Sequence, residues 1–338
     1  MWESPGEIKG RVEVFTNSDG NSNVGEFNGS TSDFHEIGIT GLEPNTSYFY
    51  QAYEGRTRVG PMRSFQTFPV EGPDNPIRFS FIVVGDTGLG SQRQFQVADQ
   101  MSRHTSPPAF LLHCGDVVYD GFVSEYPEKF FAPFASLVHR VPIFATRGDH
   151  DIVDGAEGFD RYFSLPTNNI ENTDDYYSFV YSNALFICLN SNRMLVGDNF
   201  SQLAFLDQEL ARNFTWKFIF MGNVLHTAAK GRSASVAMRN DIGARAEENG
   251  VDVIFSGDVH AYERFLPRKD YFPERTGVGL VYINTGGGGA DLRELNDSDQ
   301  SVGVSTHHFC HITINGNIFT LRVTDFMGEQ IDTYEIRK

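Results

Sequence analysis

The sequence predicts a small all-β domain followed by a larger α/β domain, and three observations support this fold class. Residues 1 to about 70 contain short runs that alternate polar and apolar residues, with turns between them and no helical period. From residue 77 onwards, apolar runs typical of buried strands alternate with amphipathic helices. Four of those apolar runs end in the same dipeptide, Gly-Asp. Periodicity alone predicts mixed α/β structure and does not specify its layers.

The first domain is predicted from three alternating stretches. "GRVEVFTN" places Val12 and Val14 on one face, and "FHEIGIT" alternates again. "GLEPNTSYFYQAYEG" joins a Pro-Asn turn to an aromatic strand and resembles a fibronectin type III strand with its corner tyrosine. We therefore expect a fibronectin type III-like β-sandwich over residues 1–72 and a second domain over 73–338. The Pro- and Gly-rich stretch 69–76 is the expected linker.

The second domain is predicted from strands, helices and a closing hairpin. The hairpin is expected around Asn315-Gly316, a dipeptide that suits a two-residue turn. Helices are expected at "SQRQFQVADQMSRH", "EYPEKFFAPFASLV", "SQLAFLDQELAR" and "ASVAMRNDIGARAEENG". The strands that end in Gly-Asp are "IRFSFIVVGD", "AFLLHCGD", "VPIFATRGD" and "VDVIFSGD".

Composition and charge exclude some classes of function. The net charge of −17 argues against nucleic-acid binding, which needs basic patches. The same charge repels an anionic substrate unless a bound cation offsets it. No apolar run approaches the roughly 20 residues that a membrane span needs. The cysteines are expected to be buried free thiols. Five Asn-x-Ser/Thr sequons favour a secreted, extracellular glycoprotein: Asn28, Asn45, Asn199, Asn213 and Asn296.

Acidic residues recur where the predicted strands end. In open α/β sheets, ligand sites lie beyond the carboxyl ends of the strands, so these side chains are expected to converge. Converging carboxylates repel one another unless a cation compensates them, which predicts a metal site. Tyr119 and His260 follow two of these acidic residues closely and add a phenolic oxygen and an imidazole. Such a set suits Fe(III), Fe(II) or Mn(II). The acidic residues are Asp86, Asp116, Asp149 and Asp258.

The motifs also resemble a known family. "GDTG", "GDVVY", "GDHD" and "GDVHAYER" occur in the order of the metallophosphoesterase signature, and "GDVVY", "AYER" and "TGGGGA" resemble the purple acid phosphatases. This resemblance implies an α/β four-layer metallophosphoesterase sandwich, with two β-sheets flanked by helices, preceded by the small all-β fibronectin-like domain. It also implies hydrolysis of phosphomonoesters at a pair of metal ions.

The resemblance implies that the first, iron-type metal site is intact. The family's ligands for this ion map onto Asp86, Asp116, Tyr119 and His260, all of which are present. In the family, charge transfer from the tyrosine to Fe(III) produces the purple colour.

The second metal site departs from the family pattern. It would share Asp116, but Asp149 stands where the family has asparagine and Asp258 where it has histidine. Two further family histidines, aligned from Trp216 without a gap, fall on Gly222 and Asn223. The second divalent ion is left open among Mn, Mg, Ca and Zn, and the added carboxylates favour the harder ions.

Two histidines are candidate catalytic residues. His150 maps onto an outer histidine that faces phosphate in the family, although a histidine bonded to nearby backbone is an equally good interpretation. His226 lies close to Gly222 and could replace a missing histidine only if the loop turns back by several residues.

The sequence is compatible with two functions, and it does not decide whether the chain is an enzyme. The first is a purple acid phosphatase-like pseudoenzyme with an intact iron site and a degraded second site, used for binding or scaffolding outside the cell. The alternative is an active metal-dependent acid phosphatase with a rewired, carboxylate-rich second site. A mononuclear iron protein with redox or peroxide chemistry is a minor third hypothesis. Expected partners are phosphate or phosphomonoesters and a protein partner or a second copy, with no nucleic acid and no membrane span.

Overall fold

The computed structural model describes residues 1–72, 76–103, 107–274, 276–299 and 301–338. The chain divides into two compact units: Met1–Val70 with Leu137–Val141, and Glu71–Ser136 with Pro142–Lys338. The predicted linker, 69–76, and the predicted domain boundary fall partly on residues 73–75, which lie outside the described residues. That boundary therefore stays a prediction.

The first unit is an antiparallel β domain, as the sequence predicts. Its described strands form one four-stranded sheet in the order β2-β1-β3-β4. Val12, Val14 and Tyr48 form its buried cluster, which matches the predicted alternation. The hydroxyl oxygen of Tyr48 accepts a hydrogen bond of 3.0 Å from the backbone N–H of Glu43, as expected of a corner tyrosine. The strands are β1 (Trp2–Phe15), β2 (Asn23–His35), β3 (Ser47–Glu54) and β4 (Thr57–Gln66).

The second unit alternates strands with helices. Its strands are β5 (Phe79–Val84), β6 (Leu111–His113), β7 (Ile143–Ala145), β8 (Tyr177–Tyr181), β9 (Ala184–Leu189), β10 (Trp216–Met221), β11 (Val253–Ser256), β12 (Tyr262–Phe265), β13 (Val281–Thr285), β14 (Ser301–Val304), β15 (His308–Asn315), β16 (Ile318–Asp325) and β17 (Gln330–Arg337). Its helices are α1 (Gln92–Ser102), α2 (Ala132–Val138), α3 (Glu157–Tyr162), α4 (Ser191–Leu195), α5 (Phe200–Leu210) and α6 (Val236–Glu248). A π-helical segment, Tyr126–Phe131, leads into α2, and a 3₁₀ turn spans His150–Ile152.

Local chemistry explains where the longer helices begin. Ser91 precedes α1, and its hydroxyl accepts a hydrogen bond from the backbone N–H of Gln94. Ser235 precedes α6 and caps it in the same way through the N–H of Met238. Such caps satisfy backbone donors that have no partner within the helix, and each contributes about 1 kcal/mol.

Two mixed sheets form the second unit. One has the strand order β17-β16-β15-β5-β6-β7, and the other β14-β12-β13-β11-β10-β9-β8. In the first sheet β5, β6 and β7 are parallel, and in the second β9, β10, β11 and β13 are parallel. Because parallel strands point the same way, their carboxyl ends meet at one edge of each sheet.

Aromatic side chains fill the space between the two sheets. The ring of Phe186 on β9 lies 5.2 Å from that of Phe81 on β5 and 5.0 Å from that of Phe110. Another buried cluster includes Phe205 of α5, Ile242 of α6 and residues of the second sheet. The predicted arrangement of two β-sheets flanked by helices is confirmed.

The cysteines and the helices bear on two further expectations. The three cysteines, Cys114, Cys188 and Cys310, are buried and unpaired, as expected. Among the described helices, none combines the length and the apolar character needed to cross a bilayer.

Candidate metal centre

The ends of strands from both sheets meet at one place. The backbone N–H of Gly85, after β5, donates a hydrogen bond of 2.9 Å to the carbonyl oxygen of Thr285 at the end of β13. Likewise, the N–H of Gly257, after β11, donates to the carbonyl oxygen of Gly222 after β10. Residues that are far apart in the chain therefore present their side chains to a common space.

Three of the strand-end aspartates share an unusual backbone conformation. Asp86, Asp116 and Asp258 have φ angles of 58°, 53° and 59°. This left-handed region disfavours most L-residues by roughly 1–2 kcal/mol, although aspartate tolerates it better than most. The preceding glycines are needed because the chains are so close: a Cβ at Gly257 would lie 2.7 Å from Oδ2 of Asp86. Strain of this kind is typical of functional sites.

The first cluster contains four of the predicted metal-site residues. Ligand atoms of Asp86, Asp116 and His260 all lie within 4.8 Å of one another. Nε2 of His260 is 3.2 Å from Oδ1 of Asp86 and 3.2 Å from the hydroxyl oxygen of Tyr119. The structure thus brings together the residues that the sequence assigned to the first metal ion.

A hydrogen bond orients the imidazole of His260. Its Nδ1 lies 2.7 Å from the backbone carbonyl oxygen of Asp291, and because a carbonyl can only accept, Nδ1 carries the proton. In the neutral ring, Nε2 then presents its lone pair to Asp86 and Tyr119. Metal-binding histidines use this arrangement, in which a bond to the second nitrogen fixes the tautomer.

The chemistry of the first cluster fits a cation. Asp86 is fully buried, and neither of its carboxylate oxygens accepts a hydrogen bond from any described residue. Burial raises the pKa of Asp86 and of Asp116, and for Asp116 the facing carboxylate of Asp86 adds to this rise. Burial also raises the pKa of Tyr119, and the nearby carboxylates of Asp86 and Asp116 contribute smaller increases. A metal ion would offset all three effects by stabilising the ionised forms.

A second cluster shares the carboxylate of Asp116. Ligand atoms of Asp116, Asp149 and His150 lie within 4.8 Å of one another. Nδ1 of His150 donates to the carbonyl oxygen of Tyr119 at 2.8 Å, which leaves Nε2 without a proton in the neutral ring. The backbone N–H of His150 also donates to Oδ1 of Asp116, at 3.2 Å. His150 therefore makes the hydrogen bond to backbone that a purely structural role requires. Its Nε2 is also free to serve as a nitrogen ligand.

Asp258 lies outside both clusters. Its Oδ1 is instead 3.3 Å from Nη2 of Arg232, a residue of the loop between β10 and α6. Burial raises the pKa of Asp258, and the guanidinium of Arg232 opposes that rise. Sequence reasoning missed Arg232, because nothing in its local sequence marks it as a partner of the strand-end carboxylates.

Gly222 and Asn223 occupy the two positions at which the family resemblance places histidines. A Cβ at Gly222 would lie 3.2 Å from the carbonyl oxygen of Arg147, which leaves little room for a side chain. Asn223 is engaged with Ser191 at the start of α4, whose hydroxyl donates to Oδ1 of Asn223 at 2.8 Å. The backbone there is fixed to α4, and the side chains present provide no nitrogen ligand of the histidine type.

His226 lies in a different environment. Its ring centroid is 4.5 Å from that of Tyr282 and 5.5 Å from that of Phe265, both of which belong to the cluster beneath α5 and α6. Burial lowers the pKa of His226 to about 4. His226 belongs to neither of the groups of described residues that could hold a metal ion. The structure does not bring His226 to the other candidate site residues.

Asp151 is a positioning residue to which the sequence analysis gave no role. It is fully buried, and its carboxylate accepts hydrogen bonds from the N–H groups of Val117 at 2.9 Å, Val118 at 3.2 Å and Gly148 at 2.9 Å. These bonds tie the loop that carries Asp116 to the loop that follows β7. The signal was present in "GDHD", whose second aspartate was not assigned a role.

Comparison with known proteins identifies the family. Residues 79–262, more than half of the chain, match the family model described as calcineurin-like phosphoesterase. The chain belongs to the calcineurin-like phosphoesterase family. The matched segment begins with β5 and ends at the start of β12, so it includes each strand-end aspartate and His260.

Relatives and solved structures agree with this assignment. Purple acid phosphatase 15 of Arabidopsis thaliana is 29% identical over 304 residues, which cover 78% of this chain and 55% of the relative. The chain thus spans about half the length of that protein. The resemblance to purple acid phosphatases that the motifs indicate is confirmed.

Two solved structures share the fold of this calcineurin-like phosphoesterase. The purple acid phosphatase PPD1 from yellow lupin (Lupinus luteus) seeds aligns with a TM-score of 0.83 at 18% identity, covering 98% of this chain and 70% of its own. GAP50, described as the anchor in the inner membrane complex of Plasmodium, aligns with a TM-score of 0.63 at 14% identity, covering 78% of this chain and 89% of its own. At such identities the likeness concerns the fold alone.

Proposed function

We propose that this calcineurin-like phosphoesterase binds one iron-type ion and is impaired as a phosphatase. Asp86, Asp116, Tyr119 and His260 would hold that ion, which supplies a Lewis-acid centre when bound. One observation carries the proposal: these side chains converge, whereas Asp258 pairs with Arg232. A guanidinium beside Asp258 opposes the binding of a second cation there, since like charges repel.

The expected loss of activity follows from the groups that are absent. Removing one charge-stabilising group from an active site typically lowers the rate about 10²–10³-fold. Here Gly222 and Asn223 replace two family histidines, and Asp258 stands at the position of another. Such losses are not additive, but together they are large enough to bring turnover near background. A binding role then becomes the function that the site supports best.

Metal analysis combined with a phosphatase assay tests the proposal. The purified protein is loaded with iron and zinc or manganese, dialysed and analysed for each metal, and p-nitrophenyl phosphate turnover is measured between about pH 4 and 8. We expect about one iron per chain, a visible band from the Tyr119 phenolate, no second ion, and turnover at least about 100-fold below an active purple acid phosphatase assayed alongside. Two metals per chain together with comparable turnover would contradict the proposal.

A second candidate function is an active hydrolase with a rewired second site. The cluster of Asp116, Asp149 and His150 favours it, because it offers two carboxylates and one imidazole beside the first cluster. The variant Asp149→Ala, which removes the ligand oxygens, separates the two functions in the same assay. If a second ion binds in the wild-type protein and is lost in this variant while iron is retained, the rewired site exists.

We also propose that the protein is an extracellular glycoprotein and that it acts by binding a partner. Each of the five sequon asparagines reaches the surface, where a glycan can be attached. Asn199 is half-buried, and the other four are exposed: Asn28, Asn45, Asn213 and Asn296. The likeness to GAP50, described as an anchor, is consistent with a fold of this kind serving in an assembly. Phosphomonoesters remain the expected small ligands.

Glycosidase treatment tests the location. When the protein is expressed with a secretion leader in a eukaryotic host, we expect it in the medium, and N-glycosidase is expected to increase its electrophoretic mobility. Substituting glutamine for the four exposed sequon asparagines should remove most of that shift. Secreted protein whose mobility does not respond to the enzyme would contradict glycosylation.

A further inference from the structure

The ion pair between Arg232 and Asp258 stands where the family pattern places a ligand of the second metal ion. Asp258 follows β11 and occupies the position of a family histidine. Its Oδ1 is 3.3 Å from Nη2 of Arg232, and among the described ion pairs this is the one that involves Asp258. A fixed positive group, the guanidinium, is therefore present beside the second metal position.

The guanidinium is accessible and has donors to spare. The side chain of Arg232 is 38% exposed, whereas that of Asp258 is 17% exposed. Arg232 is therefore the more solvent-exposed member of the pair. A guanidinium carries five N–H donors in a planar fork, and contact with one carboxylate oxygen leaves several of them for a ligand.

A second arginine strengthens the positive field. The backbone N–H of Arg293 donates to the carbonyl oxygen of His260 at 3.0 Å, so the two residues are adjacent. Nε of Arg293 is buried and has no hydrogen-bond partner among the described residues. Arg232 thus contacts Asp258 directly, and the backbone of Arg293 lies against His260, two residues further along the same loop.

Charge explains why such a group is needed. The chain has a net charge of −17, and Asp86, Asp116 and Asp149 belong to the two neighbouring clusters that share Asp116. A phosphate group approaching these carboxylates is repelled unless positive charge compensates it. In a two-metal site the second ion provides part of that charge. Arginine is suited to the same task, because its fork matches two phosphate oxygens.

We propose that Arg232, anchored by Asp258, takes the place of the second metal ion as the group that binds an oxyanion. A phosphate or phosphomonoester group would contact the first metal position on one side and this guanidinium on the other. The inference rests on the proposed function, because it requires an ion held by Asp86, Asp116, Tyr119 and His260. A guanidinium holds phosphate but, unlike a metal ion, offers no vacant coordination position, so binding is favoured over cleavage.

Phosphate titration of protein loaded with iron as the sole metal tests this inference. Binding of inorganic phosphate is measured by isothermal titration calorimetry for the wild type, Arg232→Ala and Arg232→Lys. We expect Arg232→Ala to weaken binding at least about 10-fold, because the charge-assisted hydrogen bonds of the guanidinium to phosphate are lost. Lysine keeps the charge but loses the fork, so Arg232→Lys should fall between the two.

Arg212→Ala is the matched control. The side chain of Arg212 is also 38% exposed and pairs with a carboxylate, that of Glu209, at the end of α5. Its removal should leave phosphate binding unchanged. Iron content is measured in each sample, so that failure of the metal site is seen separately from failure of the anion site.

Four results are decisive. Wild-type protein that holds no iron would contradict the proposed function. Iron-loaded wild type that does not bind phosphate, or Arg232→Ala that binds it as tightly as the wild type, would overturn the inference while the metal site stands. Weakened binding in Arg232→Ala with unchanged binding in Arg212→Ala supports it.

Discussion

Replacing His260 with alanine is expected to lower the affinity for iron by more than about 100-fold. The imidazole is the nitrogen ligand of the first cluster, and its Nε2 lies 3.2 Å from Asp86. Loss of an outer partner of a metal ligand already costs 10- to 100-fold in affinity, so loss of the ligand itself should cost at least as much. Iron retained after dialysis against a weak chelator, measured by atomic absorption, gives the result.

His226→Gln is the matched control for this experiment. His226 is a buried histidine that packs against Tyr282 and Phe265 and belongs to neither metal cluster. The substitution should leave the iron content unchanged. Iron lost in His226→Gln and kept in His260→Ala would mean that the loop after β10 turns inward when metal binds, and the assignment of ligands would have to be revised.

Replacing Gly148 with alanine is expected to disrupt both clusters. A Cβ at this position would lie 1.9 Å from Oδ1 of Asp116 and 2.3 Å from its backbone nitrogen, distances that no relaxed structure allows. The N–H of Gly148 also donates to Asp151, so the backbone there has little freedom to move. Overpacking typically costs about 1–3 kcal/mol of stability, and here it also displaces the carboxylate shared by both clusters.

Urea unfolding and iron content measure this effect. Gly38→Ala is the control, because a Cβ at Gly38 would have no neighbour within 4 Å and its φ is not positive. We expect Gly148→Ala to lower the unfolding midpoint and abolish iron binding, and Gly38→Ala to do neither. Equal behaviour of the two variants would show that Asp116 can move aside without cost, contrary to the close packing of the strand ends.

Much of the first metal site was predictable from short segments. Each apolar run that ends in Gly-Asp becomes a strand or a strand end, and chain direction alone then places Asp86 and Asp116 at one edge of the first sheet. His260 follows β11 of the other sheet. The order of the motifs, through the family resemblance, predicted that two sheets are present. Periodicity alone predicts only mixed α/β structure.

The second metal position could be predicted only in part. The sequence shows that Asp149 and Asp258 are carboxylates and that Gly222 carries no side chain. It does not show that Asp149 groups with His150 whereas Asp258 groups with Arg232. The direction of a side chain on a loop depends on partners from remote parts of the chain, and no local pattern encodes them.

The sequence by itself determined the order of strands and helices, the residues at the strand ends and the family to which the chain belongs. These depend on local periodicity and on residue identity at fixed spacings. Only the tertiary structure decided that His226 packs into a hydrophobic cluster, that Asp151 ties two loops together and that Arg232 accompanies Asp258. The physical reason is that burial and charge pairing are settled between elements, when the two sheets and their loops come together in space.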